Sequence, residues 1–357
     1  MNSSWLDQPK SVRAGEELSI ELLQNYFKTH FPEIRGPIEI TQFPGGHSNL
    51  TYCVKSGTQE YVLRRPPFGA KIKSAHDMGR EFKILSRLIK VYEKLPHPLI
   101  YCEDESVIGA PFYLMERVQG VILRREPPAG LALTRNTMER LSESFIDNLV
   151  EIHSLDLERT GLNELGHPQG YIERQITGWT ERYQKARTDE IPELVQVAAW
   201  LQENQPIESG VALIHNDYKY DNLVLNPEKL AEIRAVLDWE MATVGDPLMD
   251  LGCTLSYWVD PSDPAELQAL RFCPTTLPGN STRAQLAERY FQQLGKPVVD
   301  MLFYYVYGLF KLAVIIQQIY ARYARGFTRD ERFAHLNLGV RALGAVAEQA
   351  IGKRSIS

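Results

Sequence analysis

Apolar and polar residues alternate along this chain with two different periods, and the period changes near residue 120. Before that point the apolar runs are short and strand-like. Ile38 to Phe43, Leu50 to Lys55 and Glu60 to Arg65 are separated by turn signals at Pro44-Gly45-Gly46 and Ser56-Gly57. Met78, Phe82, Leu85 and Ile89 recur at helical spacing and predict a helix from about Ala75 to Tyr92, ended by Pro96 and Pro98. Two more strands are expected at Leu99 to Cys102 and Pro111 to Val118, and an amphipathic helix, Glu17 to Phe27, precedes the sheet.

Beyond Gly120 long helical patterns dominate: Asn136 to Ser154, Tyr171 to Lys185, Pro192 to Asn204, Thr282 to Leu294, Val298 to Tyr323 and Arg329 to Ala350. Short apolar runs at Val211–His215, Leu223–Leu225 and Ala235–Leu237 interrupt them. A small β-rich lobe followed by a larger helical one is an α+β chain in two lobes, with the boundary expected near Val118–Gly120 and the lobes at 1–118 and 119–357.

Composition narrows the class without naming a substrate. With 44% hydrophobic and 24% charged residues in 357, the chain is globular rather than disordered. Its 39 basic and 45 acidic residues give a net charge of −6, which argues against nucleic-acid or anionic-membrane binding. Met1 to Lys10 lacks the apolar core of a secretory signal. The greasiest stretch, Met301 to Ile319, is interrupted by Gly308, Lys311 and Gln317, so a buried helix is expected there rather than a membrane span. Cys53, Cys102, Cys253 and Cys273 are scattered, without metal-ligand spacing, as in a reduced cytoplasmic protein. Composition does not set the oligomeric state.

The candidate chemistry lies in Leu213-Ile214-His215-Asn216-Asp217-Tyr218-Lys219-Tyr220-Asp221-Asn222-Leu223, followed sixteen residues after Asn222 by Asp238 in Leu237-Asp238-Trp239-Glu240. Phosphoryl transfer from ATP needs a carboxylate to take the acceptor's proton, hard oxygen ligands for Mg²⁺, and a cation for the developing charge. Asp217 is the candidate base, Asn222 and Asp238 the metal ligands, and Lys219 the cation at the transferring phosphate. His215 is expected to brace the loop, as are Asp246 and Asp250, although Glu240 or Asp246 could instead touch substrate.

Together with Gly245-Asp246-Pro247-Leu248-Met249-Asp250-Leu251, these motifs resemble the aminoglycoside phosphotransferase and choline kinase-like superfamily, which implies a bilobal protein kinase-like fold binding ATP and Mg²⁺. On that resemblance the loop Pro44-Gly45-Gly46-His47-Ser48-Asn49 covers the nucleotide phosphates, with Gly45 and Gly46 allowing close backbone approach and Ser48 or Asn49 donating. Arg64 takes the phosphate-contacting position of the third strand and Glu81 pairs with it, whereas Arg65 faces solvent. The backbone of Glu116 and Val118 would meet the adenine. No Gly-x4-Gly-Lys-[Ser/Thr], Gly-x-Gly-x-x-Gly or His-Glu-x-x-His motif occurs, so P-loop, dinucleotide and zincin readings lose support.

Asp246 follows Asp238 by only eight positions, too few for a protein kinase's activation segment, so a small-molecule hydroxyl is the expected acceptor. Tyr304 to Arg322, and Pro66-Pro67 after the third strand, are similar to the kinase-like region of acyl-CoA dehydrogenase family members ten and eleven, with Lys311 where Arg is expected. That resemblance implies phosphorylation of a hydroxyacyl-CoA. Lys311, Arg322, Arg325 and Arg329 give the late helix a basic character that suits an anionic CoA thioester, although the lobe they belong to carries a net −7. An aminoglycoside, choline-like or sugar acceptor, and a pseudokinase that binds nucleotide without turnover, stay open.

Overall fold

The computed structural model describes residues 3–44, 49–68, 77–328 and 330–357. The first elements are α1 (Ile20–His30), β1 (Ile38–Gln42), β2 (Leu50–Ser56), β3 (Gln59–Arg65), α2 (Met78–Leu88), β4 (Pro98–Cys102) and β5 (Phe112–Glu116). Next come α3 (Arg135–His153), α4 (Leu157–Thr160), α5 (Tyr171–Ala186) and α6 (Pro192–Glu203). The central stretch holds β6 (Ala212–Ile214), β7 (Leu223–Leu225), β8 (Ile233–Val236), β9 (Thr243–Gly245) and α7 (Pro247–Tyr257). After it run α8 (Ala265–Ala269), α9 (Arg283–Gln293), α10 (Leu302–Ala324) and α11 (Leu336–Lys353).

These elements form two compact units, Met1–Ile122 with Leu223–Met241, and Leu123–Asn222 with Ala242–Ser357. The division differs from the expected one at 118/119, because the segment bearing Asp238 belongs to the first unit. The physical reason is local pairing: Val121 and Leu225 exchange backbone hydrogen bonds, and the Val236 N–H donates to the Lys94 carbonyl. Gly120 makes the approach possible, since a Cβ there would lie 2.4 Å from the Leu225 carbonyl oxygen.

The first unit is built on an antiparallel sheet in the order β1-β2-β3-β5-β4. Leu23 and Phe27 of α1 pack with Tyr52, Val54, Leu63, Phe112 and Leu114 from one face of it. Ser19 caps the Leu22 N–H, so α1 starts and ends about three residues later than its apolar pattern suggested. Arg65 departs from expectation more sharply. It is buried rather than solvent-facing, donating to the carbonyls of Pro66 and Ile108 and stacking on Phe68. Neighbouring positions on β3 thus bury two arginines, Arg64 and Arg65.

The second unit is helical around the antiparallel pair β6–β9. Helix α10 is long and apolar enough to cross a membrane, yet 83% of its most apolar window is buried inside the protein. It packs against α5, α6, α7 and α11. It crosses α7 at two glycines: a Cβ on Gly252 would lie 2.2 Å from the Tyr304 carbonyl oxygen, and one on Gly308 would lie 2.4 Å from that of Gly252. The last helix begins at Leu336 rather than near Arg329, because Asp330 caps a separate 3-10 turn, Glu331–Phe333. Arg329 lies outside the described residues. All four cysteines are buried and unpaired.

Candidate active site

In the second unit, β6 delivers the chain into His215-Asn216-Asp217, and the loop's backbone is held from several directions. Asp250, fully buried on α7, accepts the N–H of His215 and of Asn216, each at 2.7 Å. Burial pushes its carboxyl up, but a 3.0 Å contact with His153 and the backbone N–H of His215 hold it below the ordinary aspartate value. Asn216 sits at φ 66°, a left-handed conformation that asparagine tolerates better than most residues. His215 accepts the Asp217 N–H on Nδ1, so its proton is on Nε2 and the ring braces the turn.

The Asp217 carboxylate meets two groups of its own loop. Oδ2 lies 2.5 Å from Lys219 Nζ and accepts from the Asn222 amide at 3.0 Å. Lys219 also lies 3.6 Å from Asp221, so it bridges two carboxylates. Asn222 donates a second time, to the Asp217 carbonyl. With its amide nitrogen committed to Asp217, its oxygen is the end left for a hard cation, which suits Mg²⁺.

In the first unit, Arg64 is the hub. Its guanidinium reaches Glu81 at 2.8 Å, Asp238 at 3.0 Å and Glu240 at 3.4 Å. Burial works against its charge, but Glu81, Tyr113, Asp238 and Glu240 hold its pKa well above the ordinary arginine value. Glu81 is 1% exposed, and burial raises its carboxyl despite the pull of Arg64. Asp238 occupies the left-handed region at φ 67°. Its carboxylate is a second oxygen donor of the kind Mg²⁺ takes.

Other expected residues fall as follows. The Asn49 amide donates to Glu240. Glu116 closes β5, and Val118 packs on Ile122, Val224 and Ala235. Between them Arg117 turns away to Glu60 and the Asp7 carbonyl. Gly45, Gly46 and Ser48 lie outside the described residues. Asp246 does not brace the Asp217 loop as expected: it caps α7 and accepts from the Ser209 N–H and hydroxyl, buried at 1% exposure. Lys311 and the exposed Arg325 are also committed, to Asn216 and to the carbonyls of Lys185 and Arg187 respectively, which weakens the basic-helix argument for an anionic acceptor.

Two residues escaped the reading of the sequence. Tyr257, at the end of α7, has its pKa driven well above the ordinary tyrosine value by burial and by the adjacent Asp217 carboxylate. Lys219 Nζ lies 5.1 Å from its ring centroid. His153, on α3, is the other. The signal for α7 was present in Asp246-Pro247, an N-cap followed by a first-turn proline. Nothing local marks His153, whose partner Asp250 is 97 residues away.

Residues 39–276 match the model of a family described as the phosphotransferase enzyme family. Acyl-CoA dehydrogenase family member 10 of Mus musculus is 36% identical over 323 residues, covering 89% of this chain and 30% of the relative. Acyl-CoA dehydrogenase family member 11 of Rattus norvegicus is 34% identical over 343 residues, covering 90% and 42%. The chain therefore spans less than half the length of these curated relatives. Among solved structures, a Ralstonia eutropha protein provisionally described as an aminoglycoside phosphotransferase superposes with TM-score 0.79 at 28% identity, covering 94% of this chain and 99% of that one. Aminoglycoside phosphotransferase APH(4)-Ia, in a ternary complex with AMP-PNP and hygromycin B, shares the fold at TM-score 0.58 and 16% identity, covering 93% and 97%. The two units are thus a kinase-like fold, a small antiparallel-sheet part and a larger helical part.

Proposed function

This chain belongs to the phosphotransferase enzyme family, and on that footing we propose that it transfers the γ-phosphoryl of ATP to the hydroxyl of a hydroxyacyl-CoA. The observation that carries the acceptor is the likeness to acyl-CoA dehydrogenase family relatives over about nine-tenths of this chain. The chemistry rests on Asp217, whose carboxylate is fixed by its own loop and is 16% exposed, enough to meet an incoming hydroxyl.

In the proposed reaction Asp217 accepts the acceptor's proton as its oxygen bonds the γ-phosphorus, the bond to the bridging oxygen breaks, and ADP leaves. Lys219 neutralises charge on the transferring group, and Arg64, oriented by Glu81, meets the nucleotide phosphates. Gly45, Gly46, Ser48 and Asn49 are proposed to cover those phosphates, and the backbone of Glu116 and Val118 to receive the adenine. Asn222 and Asp238 are each proposed as a ligand of the Mg²⁺ that accompanies ATP; bound there, the ion would offset charge on the phosphates. A reducing cytoplasm is the proposed setting.

A second reading, an aminoglycoside acceptor, is favoured by the Ralstonia eutropha neighbour, which matches over nearly its whole length. Purified protein with Mg-ATP, offered 4-hydroxyacyl-CoAs, aminoglycosides and choline in turn, separates the readings by ADP release and product mass. A phosphorylated CoA thioester is expected. Turnover of aminoglycosides alone would overturn the CoA reading, and no turnover of any acceptor would favour a nucleotide-binding pseudokinase.

A further inference from the structure

The apolar helix α10 carries one lysine in its buried middle. Lys311 is 3% exposed, with its ammonium 3.0 Å from the Asn216 carbonyl oxygen, 3.2 Å from Asn216 Oδ1 and 3.5 Å from Cys253 Sγ. Its three N–H donors are therefore matched by three acceptors. No carboxylate lies within ion-pair distance among the described residues, and burying an ammonium without one is costly. Cys253 does not supply the missing charge: burial pushes its thiol up to about 11 even with Lys311 beside it, so at neutral pH it is a neutral, weak acceptor. The Trp179 ring, 5.8 Å away, adds only a marginal cation–π contact.

What Lys311 holds is the peptide bond that introduces the base. The carbonyl of the Asn216–Asp217 peptide accepts from Lys311, and its N–H donates to His215 Nδ1. Both ends of that peptide plane are pinned, and with them the left-handed φ of 66° at Asn216. The Asp250 bonds fix only the two N–H groups upstream. Without Lys311 the plane could rotate about Asn216 ψ and carry Asp217 with it. The route by which the lysine reaches the loop is the glycine crossing, with Gly308 one helical turn before Lys311 and Gly252 next to Cys253.

We infer that Lys311 is a positioning residue for Asp217: from α10 it locks the Asn216–Asp217 peptide so that the carboxylate is presented at a fixed height and angle. The inference rests on Asp217 as the base. It also explains why a helix otherwise built for the core keeps a cation that never reaches solvent.

The test compares Lys311→Met, Lys311→Arg and Asp217→Asn with wild type. Each is read by turnover of Mg-ATP with a 4-hydroxyacyl-CoA and, independently of any acceptor, by amide hydrogen exchange at Asp217 and Tyr218. For Lys311→Met we expect exchange at Asp217 at least tenfold faster, kcat at least tenfold lower and the KM for ATP within twofold, with exchange in α10 and α11 unchanged. Lys311→Arg should restore most of both, because a guanidinium keeps the cation and can still donate to the Asn216 carbonyl. Wild-type exchange at Asp217 in Lys311→Met would overturn the inference whatever happens to turnover. Faster exchange throughout the unit would overturn it as well, reducing Lys311 to a packing residue. If Asp217→Asn turned over normally while Lys311→Met still sped exchange, the base assignment would fall and the brace would stand.

Discussion

The two aspartates proposed to carry the chemistry are held in opposite ways. Asp217 is positioned through its backbone: its neighbours' N–H groups go to Asp250, its peptide is gripped by Lys311 and His215, and its carboxylate meets Lys219, Asn222 and the Tyr257 phenol. Asp238 is held through its side chain, by a buried arginine that serves Glu81 and Glu240 as well. Both loops place a non-glycine residue in the left-handed region, Asn216 in one and Asp238 itself in the other. A left-handed non-glycine residue persists only where its surroundings fix it. A proton acceptor, the role proposed for Asp217, has to be in the right place with its oxygens available, which a grip on the main chain provides. A metal ligand, the role proposed for Asp238, has to tolerate charge arriving and leaving, and the cation of Arg64 beside it would stand in for the metal.

The comparison is broken most directly at Asp217. Asp217→Asn keeps the shape and the Asn222 contact but removes the base, and should lower kcat by about 10²–10⁴-fold. Binding of Mg-ATP, measured by calorimetry, should change less than about threefold. If instead nucleotide affinity collapsed with turnover, Asp217 would be a ligand of the nucleotide complex rather than a base.

Arg64→Met attacks the other side. It strands Glu81, which is 1% exposed, without its cation, and removal of one partner from a buried pair costs about 3–5 kcal/mol. Urea unfolding should show that loss together with a raised KM for ATP. Adding Glu81→Gln should return part of the stability but none of the ATP affinity. A single mutant within 1 kcal/mol of wild type would mean that the ion pair is solvated in solution.

Asp250→Asn probes the backbone brace, with an expected loss of about 1–3 kcal/mol from weakened bonds to the loop N–H groups. The pH dependence has a definite sign. The folded carboxyl titrates below its ordinary value of 3.8, so its stabilising contribution is present above that pH and disappears as pH falls through the folded value. Wild type should therefore lose stability more steeply than Asp250→Asn in that acid range. Parallel acid-denaturation curves would show that the carboxylate's charge is not what holds the loop.

Much of this was legible in one dimension, because β-type runs and helical periods report which face of an element is buried. All five strands of the large sheet fall within about two residues of their apolar runs, and α3, α5, α6 and α9 within one or two. The motif residues were legible too, since Asp217, Lys219 and Asn222 lie on one loop. What escaped were interactions between distant parts of the chain. No local pattern tells that Arg65 will satisfy itself on Pro66 and Ile108, or that Leu223–Met241 will join the first unit through Val121 and Lys94. Lys311 looked like part of a basic helix face because periodicity locates a residue on a helix without saying what packs over it. The structure turns its charge inward.

The smallest expected effect sharpens the contrast most finely. Glu240 lies 3.4 Å from Arg64, accepts the Asn49 amide, and is 17% exposed, so it belongs either with Arg64 as a partner or with Asp238 in its proposed role as a donor to the metal. Glu240→Gln preserves a hydrogen-bond acceptor for Asn49 and removes only the charge. If Glu240 is a partner, the pair with Arg64 is long and partly solvated, so the change should cost less than about 1 kcal/mol. The Mg²⁺ concentration needed for half-maximal turnover should then move less than about threefold, against a shift of at least about tenfold for Asp238→Asn, which removes a ligand charge. Equal shifts for the two variants would place Glu240 with Asp238 among the proposed metal ligands, and Arg64 would then be holding both carboxylates together.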